Sequence, residues 1–263
     1  MLQHMAAADT SGEKESAGGE ADFGYRRVRA EDKAGLVRQV FDSVAGRYDL
    51  MNDLMSGGIH RLWKMEMIDR LSPRPGQTLL DVAGGTGDIA FRFLDRAGPG
   101  ARAVLCDINE AMLRRGRDRA IDSGRLSGIE YVCGNAENLP VKTGSVDAYT
   151  IAFGLRNVTR IEAALREARR VLKPGGRFLC LEFSPVETPL VKRAYDLYSF
   201  SVLPTLGQIV TGDREAYRYL AESIRRFPRQ ERLAEMMRAA GLEQVSFRNL
   251  SFGIAVLHSG WRL

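Results

Sequence analysis

The sequence predicts an α/β fold built on a mostly parallel sheet, and three observations carry this prediction. Apolar runs of strand length alternate with amphipathic helical segments from about residue 76 onward. A glycine-rich turn, "AGGTG", directly follows the first of these runs. The last two runs are joined only by "NLSF", so they are expected to pair antiparallel as a hairpin. Strands and helices that alternate at this spacing form right-handed βαβ units, which makes the rest of the sheet parallel.

The chain ahead of the sheet divides into two parts. Residues 1–22 are small, polar and rich in Gly, Ser and Glu, and they lack an apolar face that would offset the entropy of ordering them. This composition predicts a disordered tail. Residues 23–75 are predicted to form a helical N-terminal lid, because apolar residues recur at helical spacing between Leu36 and Val44 and again in "IHRLWKMEMIDRL".

Residues 76–263 are predicted to form the main domain, with seven strands. The strands are predicted at Thr78 to Val82, Ala101 to Cys106, Ile129 to Cys133, Val146 to Ala152, Arg177 to Phe183, Gln244 to Arg248 and Gly253 to His258. Helices such as "RIEAALREARRVL" fill the gaps, and a helical insertion covers about 186–228. A parallel sheet that ends in a hairpin is typical of the methyltransferase version of the Rossmann-like fold. It differs from the usual dinucleotide-binding arrangement.

Composition excludes several classes of protein. With 263 residues, 44% of them hydrophobic, the chain can bury a substantial core. It has no run of eighteen apolar residues and no cationic-then-apolar leader, so we expect a cytoplasmic protein. The net charge of +5 is interpreted as solvated helix faces, because no aromatic residues interleave with the basic ones, and nucleic-acid binding is therefore not expected.

Cysteine and histidine usage predicts no metal site. Cys106, Cys133 and Cys180 each lie inside an apolar strand-like run and are expected to be buried thiols. The three histidines are scattered, and they form no ligand spacing with the cysteines.

The segment "LLDVAGGTGDIA" predicts a cofactor loop. It places Asp81 at the end of a strand, then Gly85, Thr86 and Gly87 at the turn into a helix, where missing β-carbons let a ligand approach the main chain. The glycine spacing also matches the dinucleotide fingerprint, which leaves nicotinamide cofactors open. Asp88 argues against a pyrophosphate, because a carboxylate occupies the positive end of the helix dipole. A cationic ligand with an amino-acid tail tolerates that carboxylate, which favours S-adenosylmethionine.

Two further loops complete the predicted crevice at the carboxyl ends of the first three strands. Asp107 ends the second strand, where an acidic residue accepts hydrogen bonds from both ribose hydroxyls. The alternative is that Asp107 only caps the helix that starts near Asn109. In "GNAENLP", Asn135 and Ala136 are predicted to bracket the adenine edge.

Seven segments together resemble the UbiE/COQ5 family of bacterial demethylmenaquinone methyltransferases and 2-methoxy-6-polyprenyl-1,4-benzoquinol methylases. They are "VFDSVAGRYDLMNDLMSGGIHRLWK", "DVAGGTGDIAFR", "GNAENLP", "FGLRNV", "RVLKPGG", "LEFS" and "YRYLAESIRRFP". The resemblance runs from about Arg38 to the C-terminus. The glycine loop and "LKPGG" recur across many methyltransferases, whereas several of the other segments are specific to the family.

The resemblance implies a class I S-adenosylmethionine-dependent methyltransferase that methylates a ring carbon of a prenylated quinol in ubiquinone and menaquinone biosynthesis. The family's cofactor positions fall on Thr86, Asp107, Asn135 and Ala136. A further family position, often Ser, falls on Ala152 and therefore lacks its hydroxyl. The resemblance leaves open the type of ring, and it allows a homodimer or a quinone-biosynthesis complex.

"TIAFGLRNV" ends the fourth strand and places Arg156 and Asn157 where cofactor and substrate meet in such a sheet. A ring carbon attacks a sulfonium methyl well only if its neighbouring hydroxyl is close to ionised, and a phenol ionises near pH 10. Arg156 is therefore predicted to stabilise the quinolate, while Asn157 or Tyr48 holds the water that takes the ring proton. Alternatively, Arg156 forms an ion pair within the helix start and Asn157 caps the helix from Val158 onward. Tyr48 lies in the predicted lid. The alternative is that the polar residues around it form only a capped and salt-bridged helix end.

The insertion is predicted to bind substrate. Its apolar helical face is suited to a polyprenyl groove, with Tyr195 and Tyr198 at the polar ring, although core packing explains most of the same residues. Lys192 and Arg193 are positioned for peripheral contact with an anionic inner membrane. Two alternative functions are a methyltransferase for another lipophilic acceptor and a non-catalytic cofactor- or lipid-binding scaffold.

Overall fold

The computed structural model describes residues 19–44, 52–53, 56–186, 193 and 214–263. Three predicted site residues, Tyr48, Tyr195 and Tyr198, lie outside the described residues, as does most of the predicted insertion. Within the described part, no helix has the length and apolar character needed to cross a bilayer.

The described strands form two sheets. Their bounds are β1 Glu20–Phe23, β2 Arg26–Arg29, β3 Thr78–Val82, β4 Arg102–Asp107, β5 Ile129–Cys133, β6 Val146–Ala152, β7 Leu172–Phe183, β8 Glu243–Leu250 and β9 Ala255–Arg262. β1 and β2 pair as a small antiparallel ribbon, and the other seven strands form one sheet.

Helices cover both faces of the seven-stranded sheet. Their bounds are α1 Ala30–Val44, α2 His60–Leu71, α3 Asp88–Ala97, α4 Glu110–Asp122, α5 Ile161–Val171, α6 Arg214–Arg226 and α7 Gln230–Ala239, with 3₁₀ turns at Leu155–Asn157 and Ser251–Gly253.

The strand order of the large sheet is β5-β4-β3-β6-β7-β9-β8. β3 to β7 run parallel, and β9 pairs antiparallel with both β7 and β8. The predicted mostly parallel sheet with a terminal antiparallel hairpin is therefore confirmed. The connections from β3 and β6 leave toward opposite edges of the sheet, so a crevice opens between their carboxyl ends.

Alternation along the strands gives the sheet two apolar faces, because successive side chains point to opposite sides. Leu79, on one face, belongs to a cluster with α2, α3 and α6, through residues such as Met67, Phe93 and Leu220. Leu80, on the other face, packs in a second cluster with α5 and α7. Burial on both faces fixes the register of the central strands and hence the positions of the loops that follow them.

Three local predictions differ from the structure. The predicted tail over 1–22 ends too late, because Glu20–Phe23 pairs with Arg26–Arg29. The "KPGG" turn lies inside β7 as an irregularity, where the pairing with β6 jumps from Leu172 to Arg177. Cys133 is exposed rather than buried, since β5 is the edge strand.

Candidate active site

A cleft opens at the carboxyl ends of β3 to β6, where the loops of all four strands meet. Its walls include Ala83 and Gly85 after β3, and the 107–109, 134–137 and 153–159 segments after β4, β5 and β6. Helix α1 of the N-terminal segment closes another side. The predicted crevice and the predicted lid therefore meet at one site.

The glycine loop after β3 turns sharply before α3. Gly85 and Gly87 have φ values of 56° and 85°, in the left-handed region that glycine adopts without a steric penalty. The backbone N–H of Gly85 donates to Asp107 Oδ2 at 2.9 Å, which ties this loop to the end of β4. Thr86 Oγ1 accepts a hydrogen bond from Arg119 Nη1 at 2.5 Å, so its side chain is held from α4.

Asp107 lies where the sequence predicts a ribose-binding carboxylate. It is buried, and its Oδ1 accepts the backbone N–H of Asn109 at 2.8 Å. Burial raises the pKa of its carboxyl, and the N–H groups of Asn109 and Gly85 oppose that rise. The N-cap of α4 is Asn109, which accepts the N–H of Met112, so Asp107 does not itself cap this helix. Because each carboxylate oxygen can accept more than one hydrogen bond, Asp107 retains acceptors for a diol.

The loop after β5 brings Asn135 and Ala136 to the cleft, as the sequence predicts. Asn135 Oδ1 accepts the backbone N–H of Glu137 at 3.0 Å, which gives the loop a tight polar turn. Ala136 is buried beside it. The arrangement suits the flat, polar edge of a base.

A smaller cavity adjoins the cleft at Ala83 and Phe153. Asp81 and Lys64 line it, and Ala152, predicted to contact the cofactor, lies in its wall rather than in that of the main cleft. Asp81 Oδ1 accepts the Thr150 hydroxyl at 2.8 Å, whereas Oδ2 is buried with no hydrogen-bond partner of normal geometry among the described residues.

Asp81 therefore holds an unused acceptor. Burial raises the pKa of its carboxyl to about 7, although the Thr150 hydrogen bond and the charge of Lys64 both lower it.

Asp88, at the start of α3, is not a free carboxylate. Lys64 Nζ contacts its Oδ2 at 2.8 Å and Arg92 Nε contacts its Oδ1 at 3.0 Å. These two cations hold the pKa of Asp88 near 2, although burial acts in the opposite direction. Because its charge is balanced, the carboxylate is a weaker argument against a pyrophosphate than the sequence suggests.

Arg156 does not line the cleft. Its side chain is buried, with Nη1 donating to Glu182 Oε2 at 2.8 Å and to the Phe153 carbonyl at 2.6 Å. Its guanidinium also lies over the Phe183 ring. Arg156 thus forms an ion pair, but its partner is Glu182 of β7 rather than a residue of the helix start, and the sequence did not indicate this partner.

Asn157 does line the cleft. Its Oδ1 accepts the hydroxyl of Tyr219 at 3.0 Å, and burial raises the pKa of Tyr219, so this hydroxyl stays a donor. Since its oxygen is occupied, Asn157 can offer the cleft its amide N–H groups. No helix is capped here, because α5 begins at Ile161 after the N-cap Arg160.

Helix α1 supplies an apolar wall. Val37 and Phe41 line the cleft, and Asp42 Oδ1 accepts Asn109 Nδ2 at 2.7 Å. This hydrogen bond joins the N-terminal segment to the end of β4. The lid is in this way attached beside Asp107.

The fold and the cleft define a class of protein. A seven-stranded sheet with this order, a glycine loop after its first strand and an acidic residue at the end of the second are those of the class I S-adenosylmethionine-dependent methyltransferases. Solved structures share the fold. One is a possible histamine N-methyltransferase of Thermotoga maritima, described as S-adenosylmethionine-dependent, with a TM-score of 0.59 at 21% identity, covering 86% of this chain and 99% of that one. Another is the complex of the Haloferax volcanii Trm112 activator with a methyltransferase, with a TM-score of 0.62 at 20% identity, covering 86% and 97%.

The chain belongs to the ubiE/COQ5 methyltransferase family, whose model matches residues 27–262. A ubiquinone/menaquinone biosynthesis C-methyltransferase UbiE of Paracoccus denitrificans is 60% identical over 244 residues, 93% of this chain and 97% of its own length. The UbiE protein of Brucella abortus is 56% identical over 250 residues, covering 94% and 93%. The resemblance found in the sequence is thus confirmed.

Proposed function

We propose that this protein is an S-adenosylmethionine-dependent C-methyltransferase that methylates a ring carbon of a prenylated quinol in ubiquinone or menaquinone biosynthesis. The observation that carries the proposal is membership of the ubiE/COQ5 family over almost the whole chain. The relatives named as UbiE support the quinol substrate, since the chain matches more than nine-tenths of their length.

The residues present fit the cofactor. Asp107 has two buried oxygens beside the glycine loop, which suits a ribose diol. Asp81 Oδ2 is a buried acceptor without a hydrogen-bond partner of normal geometry in the described part of the chain, which suits the ammonium of an amino-acid tail. Asn135 and Ala136 provide the polar and apolar contacts for a base. When bound, S-adenosylmethionine supplies an electrophilic methyl group.

The chain's own residues then shape the acceptor side. Val37, Phe41 and Phe153 make the cleft apolar next to Asp107, which excludes water and strengthens electrostatic interactions there. Asn157 is a polar side chain after β6 that lines the cleft, and its amide N–H groups are suited to the oxygen of a quinol hydroxyl. Donation to that oxygen would favour the ionised ring, whose neighbouring carbon would take the methyl group as the bond from methyl to sulfur breaks. A water held by Asn157 or Tyr48 would accept the ring proton.

The roles assigned to Tyr48, Tyr195 and Tyr198 stay proposals, as does a homodimer or a quinone-biosynthesis complex. Tyr48 would close over the methyl group, and the two other tyrosines would meet the ring where the prenyl groove ends. A peripheral contact with an anionic membrane through Lys192 and the exposed Arg193 would give access to a substrate with a polyprenyl tail.

The test is methyl transfer from labelled S-adenosylmethionine to two reduced acceptors, a demethylmenaquinol and a 2-methoxy-6-polyprenyl-1,4-benzoquinol, with label counted in the organic phase. Label in one product identifies the substrate, and label in both indicates an enzyme of both pathways. Asp107→Ala should abolish transfer because it removes the buried acceptors, whereas Asp118→Ala, on the exposed face of α4, should retain it. Cofactor binding without label in either acceptor would refute the quinol assignment.

A further inference from the structure

The turn after β6 is fixed to two other elements of the fold. On one side, Glu182 near the end of β7 accepts the backbone N–H of Arg156 at 3.2 Å with Oε1 and its guanidinium Nη1 at 2.8 Å with Oε2. On the other, the hydroxyl of Tyr219 in α6 donates to Asn157 Oδ1 at 3.0 Å. Arg156 and Asn157 are adjacent, so the two anchors hold consecutive residues of one short 3₁₀ turn.

Each oxygen of the Glu182 carboxylate accepts a hydrogen bond from Arg156 in this turn. The carboxylate is fully buried, and its Oε2 also accepts the backbone N–H of Phe183 at 3.1 Å. The Arg156 guanidinium is nearly as buried, and its other hydrogen bond closes back on the Phe153 carbonyl. The ion pair therefore links the end of β7 to Phe153 and Arg156 in the segment after β6.

A buried pair in this position keeps the guanidinium charge balanced. A charge that faces an equal and opposite charge at 2.8 Å projects a much weaker field toward the cleft than an isolated cation does. Arg156 is then poorly suited to act on the substrate directly. What the pair does provide is a fixed geometry for the neighbouring Asn157.

We infer that Glu182 is a positioning residue for methyl transfer, which holds the Leu155–Asn157 turn through Arg156 so that Asn157 presents its amide to the acceptor. This inference rests on the proposed function. It assigns Arg156 to the same positioning unit, with Tyr219 as the second anchor of Asn157.

The two roles of Arg156 predict opposite results for Glu182→Gln. If the guanidinium acted directly on the quinol, removing the balancing carboxylate would strengthen its field, preserve kcat and shift the alkaline rise of kcat to lower pH. If the pair positions Asn157, kcat falls about 100-fold, as expected for a displacement on the order of 1 Å, with no shift in that pH profile. The dissociation constant for S-adenosylmethionine, measured by calorimetry, should change less than threefold, because the cofactor residues lie on other loops.

A matched control exists at the other end of β6. Asp147 also accepts a backbone N–H, that of Thr78, and a cationic side chain, that of Lys173, both at 2.8 Å. Asp147→Asn should lower the melting temperature without lowering kcat per folded enzyme. A loss of kcat in Asp147→Asn as large as that in Glu182→Gln would show that the effect is only structural and would overturn the inference.

Two further variants keep the test decisive if Glu182→Gln fails to fold. Glu182→Asp retains the charge and should keep more activity than Glu182→Gln while still falling below the wild type.

Tyr219→Phe keeps the ring packed against Phe23 and removes only the hydroxyl, so the fold should survive and kcat should fall about tenfold from the loss of one hydrogen bond. Full activity in Tyr219→Phe and Glu182→Asp would overturn the inference. Absence of quinol methylation by the wild-type enzyme would instead refute the proposed function.

Discussion

Asp81 and Glu182 are both fully buried carboxylates, on β3 and β7 on either side of β6, yet their surroundings differ. Burial raises the pKa of both, for Asp81 to about 7, and the Arg156 guanidinium opposes the rise for Glu182. Both oxygens of Glu182 accept hydrogen bonds, whereas Asp81 Oδ2 has no hydrogen-bond partner of normal geometry among the described residues.

The difference separates two uses of a buried charge. A carboxylate whose acceptors are all satisfied by the protein stabilises one arrangement of the chain, as Glu182 does for the turn after β6. A carboxylate with an unused oxygen costs stability, and that cost is offset only when a ligand supplies the missing donor. Asp81 is of the second kind, so we propose that β3 serves ligand binding and that β7 serves positioning.

The comparison is tested most strongly by the pH dependence of stability in Asp81→Asn. The pKa of Asp81 is about 7 in the folded protein against a reference of 3.8, so its protonated form is favoured by folding. The raised pKa means that wild-type stability is lost as the pH rises from about 4 to 7. Asn does not ionise, so its stability lacks this pH dependence. The free energy of unfolding of the variant relative to the wild type, measured with urea, should therefore rise by about 2 to 3 kcal/mol from pH 5 to pH 8.

Two measurements complete that test. Asp95→Asn, at a side chain that is 61% exposed, should change the free energy of unfolding by less than about 1 kcal/mol. Asp81→Asn should also bind S-adenosylmethionine more weakly, because the amide cannot balance an ammonium. If the difference in free energy of unfolding between Asp81→Asn and the wild type were the same at pH 5 and pH 8, the raised pKa of Asp81 would be refuted.

The two regions touch at Gly154, and Gly154→Ala should disturb both. A β-carbon there would lie 2.4 Å from the Ala83 side chain of the glycine loop. Since the φ of Gly154 is −115°, the backbone accepts alanine and the penalty is steric. We expect the free energy of unfolding to fall by about 2 kcal/mol, with a loss of both cofactor affinity and turnover.

Gly35→Ala is the matched control for that substitution. Gly35 lies within α1, and a β-carbon there would have no atom within 4 Å. Alanine is the better helix former, so this variant should gain about 0.5 to 1 kcal/mol. A stable, fully active Gly154→Ala variant would mean that the two regions are not sterically coupled.

The same contrast explains how much the sequence predicts. The glycine loop, Asp107 and the turn at Asn135 function through local backbone geometry, so short motifs indicate them and the structure brings them to one cleft. Strands buried on both faces are likewise evident from continuous apolar runs. Periodicity is a local property that indicates the strands and helices, and their alternation as βαβ units makes the sheet mostly parallel.

Hydrogen-bonded residues that are far apart in the chain leave no local sequence pattern that would indicate their contact. Glu182 and Arg156 are 26 residues apart, and Tyr219 and Asn157 are 62 apart, so no spacing rule links them. "LEFS" reads as an ordinary buried strand end, and its glutamate gives no indication that it neutralises Arg156. The sequence therefore placed Arg156 at the right turn and gave it a role that its buried partner does not favour.

The smallest expected effect concerns Ala152, in the wall of the cavity that Asp81 lines. Ala152→Ser would add a hydroxyl beside the Asp81 oxygen that has no partner of normal geometry among the described residues. One additional hydrogen bond should raise affinity for S-adenosylmethionine about fivefold, measured by calorimetry. Ala148→Ser, on the same strand and face but packed in the core, should lower stability and leave the affinity unchanged. If Ala152→Ser behaves like Ala148→Ser, the cavity beside Asp81 does not receive the cofactor, and the unused oxygen of Asp81 needs another explanation.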